Sequence, residues 1–430
     1  MELQTPRVHS MNQTMNKRAL LIAFHFPPQA GSSGIQRTLS FSKHLGRFGW
    51  EPLVVSAHPR AYTVQNPSQL ASVPAQLVVE RAFALDAKQH LGIKGRYPEA
   101  VALPDRWVSW WMGAVPSGLG LIRKFKPQVI WSTFPIATAH LIGLTLHRLS
   151  GLPWVVDFRD PMLQLAYPSS KLQRKIYGWI ERQAITRCRT AVFTTHSAME
   201  WYRARYPQLP AEKFVVIENG YDEDGFDAAP APAPSVPKPG ARITLVHSGV
   251  LYKTGRDPSG LFSALAALRE TGHISAGTLR VILRAPGDVA ETTALATRFG
   301  VGDIVEVAPP VPYRVALQEM LAADGLLVFQ GTPFNNQIPA KIYEYFRAHK
   351  PVFGLIDPIG ETARVLRTAG FESMAGIDDK DAIRPALAQF IEGIRQGTAY
   401  CASEELIAAS SRVSRAKQLA EVFDAARVQR

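Results

Sequence analysis

Short apolar runs recur along this chain, each followed by a polar or glycine-rich loop and then by a segment of helical period. In the first half they are ALLIAF (19–24), PLVVSA (52–57), QVIWST (128–133), PWVVDF (153–158), AVFTT (191–195) and FVVIE (214–218). The second half restarts the pattern with ITLVHSG (243–249), LRVILRA (279–285), IVEVA (304–308), GLLVFQ (325–330) and PVFGLI (351–356). Apolar runs bounded by turn residues and alternating with helical segments predict parallel strands joined by crossover helices. Between the halves lies DAAPAPAPSVPKPG (227–240), where alternating Ala and Pro oppose both helix and sheet and predict a semi-stiff spacer. The expected organisation is α/β, with two doubly wound domains over 17–226 and 241–410, ligands drawn to the carboxyl ends of their strands, and a cleft between them. A final helix is expected over 411–428, where Val413, Leu419, Val422 and Phe423 fall near helical spacing.

A length of 430 residues agrees with two cores rather than one. With 46% hydrophobic and 20% charged residues the chain can bury large cores and is not generally disordered. The formal charge of +12 is uneven: residues 1–220 hold 26 Lys and Arg against 12 Asp and Glu (+14), and residues 221–430 hold 22 against 24 (−2). That asymmetry points to an anionic partner for the first half: a phospholipid surface, a pyrophosphate-bearing substrate, or nucleic acid. Cys188 and Cys401 are the only cysteines, which suggests neither a disulfide framework nor a cysteine metal site and fits a reducing, cytoplasmic location. The polar start and the short run ALLIAFHF do not read as a signal peptide, and no stretch reaches the ~18 apolar residues of a membrane span.

Candidate chemistry gathers in the loops after these runs. In FPPQAGSSGIQRTLSFSKHL (26–45), Gly31 and Gly34 let the backbone approach a ligand, amides at the helix start favour an anion, and Arg37 adds charge one turn in. The loop lacks both GxGxxG and Gly-Lys-Ser/Thr, and an ordinary strand-to-helix turn explains it equally well. VVDFRDPM (155–162) sets Asp157, Arg159 and Asp160 at a strand end, suited to binding hydroxyls or steering a proton, or else to an Arg–Asp pair that closes the turn. HSGVLYKTGRDP (247–258) offers Gly249 with Lys253 and Arg256, the cations a diphosphate needs, against the plainer reading of a solvated basic loop. In FNNQIPAKIYEYF (334–346), Pro339 fits the first helical position, and Ile338, Ile342, Tyr345 and Phe346 form a core face. Lys341 and Glu344, three apart, are neighbours on a flank, either as an ion pair or with Glu344 gripping the two hydroxyls of a ribose.

Taken in order, FPPQAGSSGIQR, DFRDPM, VIENGYDEDGF, SGVLYKTGRDP, IPAKIYEYFRAHKPVFGL and the final helix resemble family-4 glycosyltransferases of the GT-B fold, over residues 17–428. The resemblance implies two Rossmann-like domains facing a central cleft, a nucleotide-sugar donor on the C-terminal domain, an acceptor on the N-terminal one, and a last helix (411–430) returning to the first domain. It makes Gly34, Gly249, Arg256, Lys341, Asn336, Ile338 and Glu344 the donor-binding set, with Glu344 the ribose acid of a motif in which two glutamates flank seven residues. Asn336 stands where the first of those glutamates belongs, and an amide bonds hydroxyls without supplying charge. Asp160 becomes the candidate that orients the acceptor hydroxyl and Arg159 the second; Arg37, Lys253 and Asp157 are further candidates.

The implied reaction retains anomeric configuration without an enzymic nucleophile, a cofactor or a metal. Its implied setting is cell-surface polysaccharide or lipopolysaccharide synthesis, on a lipid-linked or polysaccharide acceptor at the cytoplasmic membrane face. LPDRWVSWWMGAVPSGLGLIRKFKP (103–127) sets Trp107, Trp110 and Trp111 ahead of Arg123, Lys124 and Lys126, which suits peripheral contact with an anionic membrane or an ordinary buried helix face. A nucleotide-sugar 2-epimerase shares the expected fold. A basic nucleic-acid-binding protein is the non-enzymatic alternative, but no zinc spacing or RNA-binding sheet motif favours it, and nucleic acid is not an expected partner.

Overall fold

The computed structural model describes residues 17–31, 34–92, 98–164, 167–226, 238 and 240–428. They divide into two compact units. The first takes the described residues up to Val192, then Leu209–Val215 and those from Ala416 on; the second takes Phe193–Gln208 and the described part of Val216–Arg415. The chain therefore passes between the units more than once. Of the expected spacer 227–240, only Lys238 and Gly240 lie among the described residues.

The first sheet contains β1 (Lys17–Ile22), β2 (Trp50–Ala57), β3 (Val78–Ala82), β4 (Val129–Thr133), β5 (Trp154–Arg159), β6 (Thr190–Phe193) and β7 (Phe214–Val216), in the order β3-β2-β1-β4-β5-β6-β7. β1 lies parallel between β2 and β4, with Leu20 opposite Leu53 on one side and Ile130 on the other, all three fully buried. The second sheet contains β8 (Ile243–Ser248), β9 (Leu279–Arg284), β10 (Val305–Ala308), β11 (Gly325–Gln330), β12 (Val352–Ile356) and β13 (Met374–Ala375), in the order β10-β9-β8-β11-β12-β13 and parallel throughout. In each sheet the order reverses beside its first strand, between β1 and β4 and between β8 and β11. Such switch points leave a crevice at the carboxyl ends of the strands.

Both faces of the second sheet are covered, which is why its strands are apolar without alternation. Leu245, Leu327 and Phe329 pack into one core, while their neighbours Val246, Leu326 and Val328 pack into the other. Two strands escape the apolar pattern. β3, VVERA, lies at the sheet edge and is only partly buried, so Glu80 and Arg81 are tolerated in it; β13 has just two residues.

The helix expected after β11 runs Lys341–Arg347, so Pro339 precedes it rather than occupying its first position. Its core face is as expected: Ile342, Tyr345 and Phe346 are buried, as is Ile338. Of the tryptophans before and in the helix Ser109–Phe125, Trp110 is buried with its ring 5.7 Å from that of Phe24, and Trp107 lies 4.8 Å from the same ring. Trp111 is 37% exposed and its indole donates to Thr145 Oγ1 at 3.0 Å. Among the described residues no helix is long and apolar enough to cross a membrane.

Candidate functional site

In the second unit, the switch point between β8 and β11 gathers most of the expected donor-binding residues. Lys341 opens its helix and sends its ammonium to the carbonyl of Ser248, the last residue of β8. Gly249 follows with φ +134°, a conformation that favours glycine, and a Cβ there would lie 2.6 Å from Lys341 Nζ. Its N–H is already given to Arg284 O at 2.8 Å. The glycine therefore makes room for a lysine.

Arg256 closes the loop after β8. Its Nε and Nη2 both donate to Gln330 Oε1, at 3.1 and 2.9 Å, and its guanidinium sits 4.6 Å from the ring of Phe334 and 5.5 Å from that of Tyr252. Gln330, fully buried at the end of β11, donates its own amide to Phe334 O at 3.2 Å. Among the described residues neither Arg256 nor Lys341 has a carboxylate partner. Burial, reinforced by the positive charge of Arg256 and opposed by Glu344, brings the Lys341 ammonium down to about 7. Burial also lowers Arg256.

Glu344 does not pair with Lys341. Its Oε1 accepts from the hydroxyl of Tyr313 at 2.7 Å, and burial raises its pKa against the opposing pull of that hydrogen bond, Arg412 and Lys341. Three other expected donor contacts stand differently. Lys253 forms an exposed ion pair with Glu291 at 2.5 Å beside a cavity of about 450 Å³, which none of Lys341, Arg256 and Glu344 lines. Asn336 is exposed, its carbonyl accepting from Thr195 Oγ1 at 3.3 Å, and Ile338 belongs to the core.

In the first unit, Asp157 is fully buried at the end of β5. It takes two hydrogen bonds from Arg37, both at 2.9 Å, and one from Thr133 Oγ1 at 2.9 Å. These two further candidates thus pair with each other, a pairing that the sequence did not single out, and tie the helix Gly34–His44 to the sheet. Arg159, two residues on, has φ +55°, an uncommon left-handed conformation for a non-glycine residue. A Cβ on Gly34 would lie 2.3 Å from Arg159 Nη1 and 2.9 Å from His25 Nδ1, so Gly34 also makes room for a cation rather than standing open. Burial and the nearby Arg159 lower His25 to about 3, so it is neutral. Burial raises Asp160, with Arg159 opposing the shift.

Gln330, Tyr313 and His25 are the polar residues that the motifs did not single out. Each ends a strand or follows one, and that placement after an apolar run is the one signal that could have flagged them.

A family model described as a glycosyl transferase 4-like domain matches residues 33–220. Among solved structures, Anabaena Alr3699/HepE in complex with UDP is similar at 16% identity and TM-score 0.55, covering 95% of this chain and 100% of the other. WaaG, a glycosyltransferase involved in lipopolysaccharide biosynthesis, is similar at 15% identity and TM-score 0.55, covering 94% and 99%. A Listeria monocytogenes protein described as a UDP-N-acetylglucosamine 2-epimerase is similar at 12% identity and TM-score 0.56, covering 95% and 96%. None of the curated proteins matches this sequence. At these identities the structural likenesses establish a shared fold, and that fold carries both transfer and epimerisation.

Proposed function

The chain has the GT-B fold and carries a glycosyl transferase 4-like domain over residues 33–220, and from that premise we propose that it moves a sugar from a nucleoside diphosphate-sugar to an acceptor hydroxyl. The donor sits on the second unit, with its diphosphate at Arg256 and Lys341 and its ribose hydroxyls on Glu344. The acceptor is taken by the first unit.

One observation carries this reading: two basic side chains at the carboxyl end of β8, with Arg256 close enough to lower the pKa of Lys341 and no carboxylate partner for either among the described residues. A diphosphate answers that arrangement, and it is the group on which charge develops as the sugar leaves. HepE, which shares the fold, is solved with UDP. In the reaction the bond between the anomeric carbon and the phosphate oxygen breaks, and the acceptor oxygen bonds the same carbon with retention. The acceptor proton passes to the departing phosphate. Asp160 orients the acceptor hydroxyl, with Arg159 beside it. Arg256 and Lys341 meet the charge on the leaving group, so transfer is expected to persist in a chelator. Cell-surface polysaccharide or lipopolysaccharide synthesis on a lipid-linked or polysaccharide acceptor, at the cytoplasmic membrane face, is the setting that the likeness to WaaG and the basic first half favour.

The test is a thermal-shift panel of nucleotide-sugars on wild type, Glu344→Gln and Arg256→Ala. A cognate donor is expected to raise the melting temperature of wild type and to do so less in both variants; equal responses in all three would remove the donor site from these residues. Release of nucleoside diphosphate only when an acceptor is added marks transfer. Conversion of the nucleotide-sugar without an acceptor would favour epimerisation instead.

A further inference from the structure

The carboxyl ends of β2 and β3 hold a basic cluster that the donor site does not use. β2 ends at Ala57, and the next residue, His58, donates its N–H to Ala82 O at 2.8 Å, so the loop after β2 lies against the end of β3. Arg81 and Phe83 flank Ala82, Arg81 within β3 and Phe83 just past its end. The Arg60 guanidinium lies 5.3 Å from the ring of Phe83 and holds His58 Nδ1 through its Nε at 3.2 Å. Arg81 lies 5.3 Å from the ring of Phe26 and gives Nη2 to Pro27 O. Its Nη1 is buried; burial lowers the Arg81 pKa, and the Tyr62 hydroxyl lies close enough to oppose that larger shift.

Among the described residues neither Arg60 nor Arg81 has a carboxylate partner; the acid nearby, Asp86, pairs with Arg106 at 3.3 Å. Glu80, one residue from Arg81, points to the opposite side of β3 and accepts from Ser117. Burial lowers the His58 pKa, and Arg60 and Arg81 both lie close enough to lower it further. Two guanidiniums held against aromatic rings, with no carboxylate partner among the described residues, are preorganised for an oxyanion.

We infer that Arg60 and Arg81, with His58 beside them, bind a phosphate or diphosphate group carried by the acceptor. Identifying the bearer as the acceptor rests on the transfer reading above; the anion site rests on these residues alone. Phe83, 43% exposed, borders the cluster at Arg60, and the helix Ser109–Phe125, which carries the 67% exposed Met112, lies against the Phe83 backbone at Gly113. An apolar chain attached to the phosphate would lie along them.

The test uses the full chain and inorganic pyrophosphate, titrated calorimetrically into an Arg256→Ala background so that the donor site is weakened. One site is expected to remain. Arg60→Glu, at an exposed position, is expected to weaken it at least about tenfold, a change of about 1.4 kcal/mol, and Arg81→Gln, checked for an unchanged melting temperature, is expected to weaken it likewise. If no site remains in that background, or if both further variants bind as it does, the proposal is overturned. Geranyl diphosphate and glucose 1-phosphate separate the two sources of the group: tighter binding of the first than of pyrophosphate means a lipid-borne diphosphate, and tighter binding of the second a soluble sugar phosphate. Failure of the donor reading would show separately, as a nucleotide-sugar response that Arg256→Ala leaves unchanged.

Discussion

Gly34 and Gly249 both looked like places where a backbone approaches a ligand, and in the folded chain each instead accommodates a cationic side chain. A Cβ at Gly249 meets Lys341 Nζ at 2.6 Å and one at Gly34 meets Arg159 Nη1 at 2.3 Å. Gly249→Ala is therefore expected to displace Lys341 and abolish the donor-induced thermal shift. Gly34→Ala is expected to leave that shift intact while lowering kcat, because it displaces Arg159 in the first unit. Lys341 makes a further prediction through its proton. Unfolded, it titrates near 10.5, and folded, near 7, so between those values the unfolded chain binds more protons and stability rises with pH across the window. Lys341→Met is expected to flatten that rise, read as melting temperature against pH. A bound diphosphate favours the charged ammonium, so affinity for a nucleotide-sugar is expected to fall as pH climbs above about 7, and less so in Lys341→Arg, whose charge persists.

β11 delivers Gln330 to the carboxyl edge of the second sheet, where one side-chain oxygen holds two donors of Arg256. Gln330→Met keeps the bulk and removes the acceptor. It is expected to raise KM for the donor severalfold with little change in melting temperature, since Phe334 and Tyr252 still hold the guanidinium in place. The helix Tyr313–Ala322 plays a comparable part for the ribose acid, because its first residue donates to Glu344 at 2.7 Å. Tyr313→Phe leaves that carboxylate short of a hydrogen bond at a partly exposed position. The expected readout is a weaker donor response in the thermal-shift panel.

The two units are not two consecutive stretches of sequence. The chain from Ala416 on belongs to the first unit, where Phe423 is fully buried with its ring 5.2 Å from that of Trp50, and Asp424 pairs with Lys17 at the start of β1. Phe423→Ala is expected to destabilise the first unit by about 3–5 kcal/mol, the usual cost of truncating a buried phenylalanine. Chemical denaturation would read it as a lowered midpoint. The charge asymmetry also takes a specific form. The excess of the first half includes Arg37, neutralised by Asp157, and Arg60 and Arg81, which have no carboxylate partner among the described residues.

Local pattern alone was enough for the α/β class and for every strand long and apolar enough to be buried on both faces, because burial of a parallel strand writes itself into consecutive residues. It also singled out Lys341, Glu344 and Arg256 as candidates, which stand in loops and helix starts that follow such strands. The sequence left open whether Asp157 bound a ligand or an arginine, whether Lys341 and Glu344 paired, and what the two glycines made room for. Those outcomes depend on residues far apart in the chain: Arg37 for Asp157, Ser248 for Lys341, Tyr313 for Glu344, and Gln330 for Arg256. Tertiary structure decided them, because a polar side chain leaving water takes whichever partner packing sets within about 3 Å of it, and that distance is not encoded in spacing along the chain.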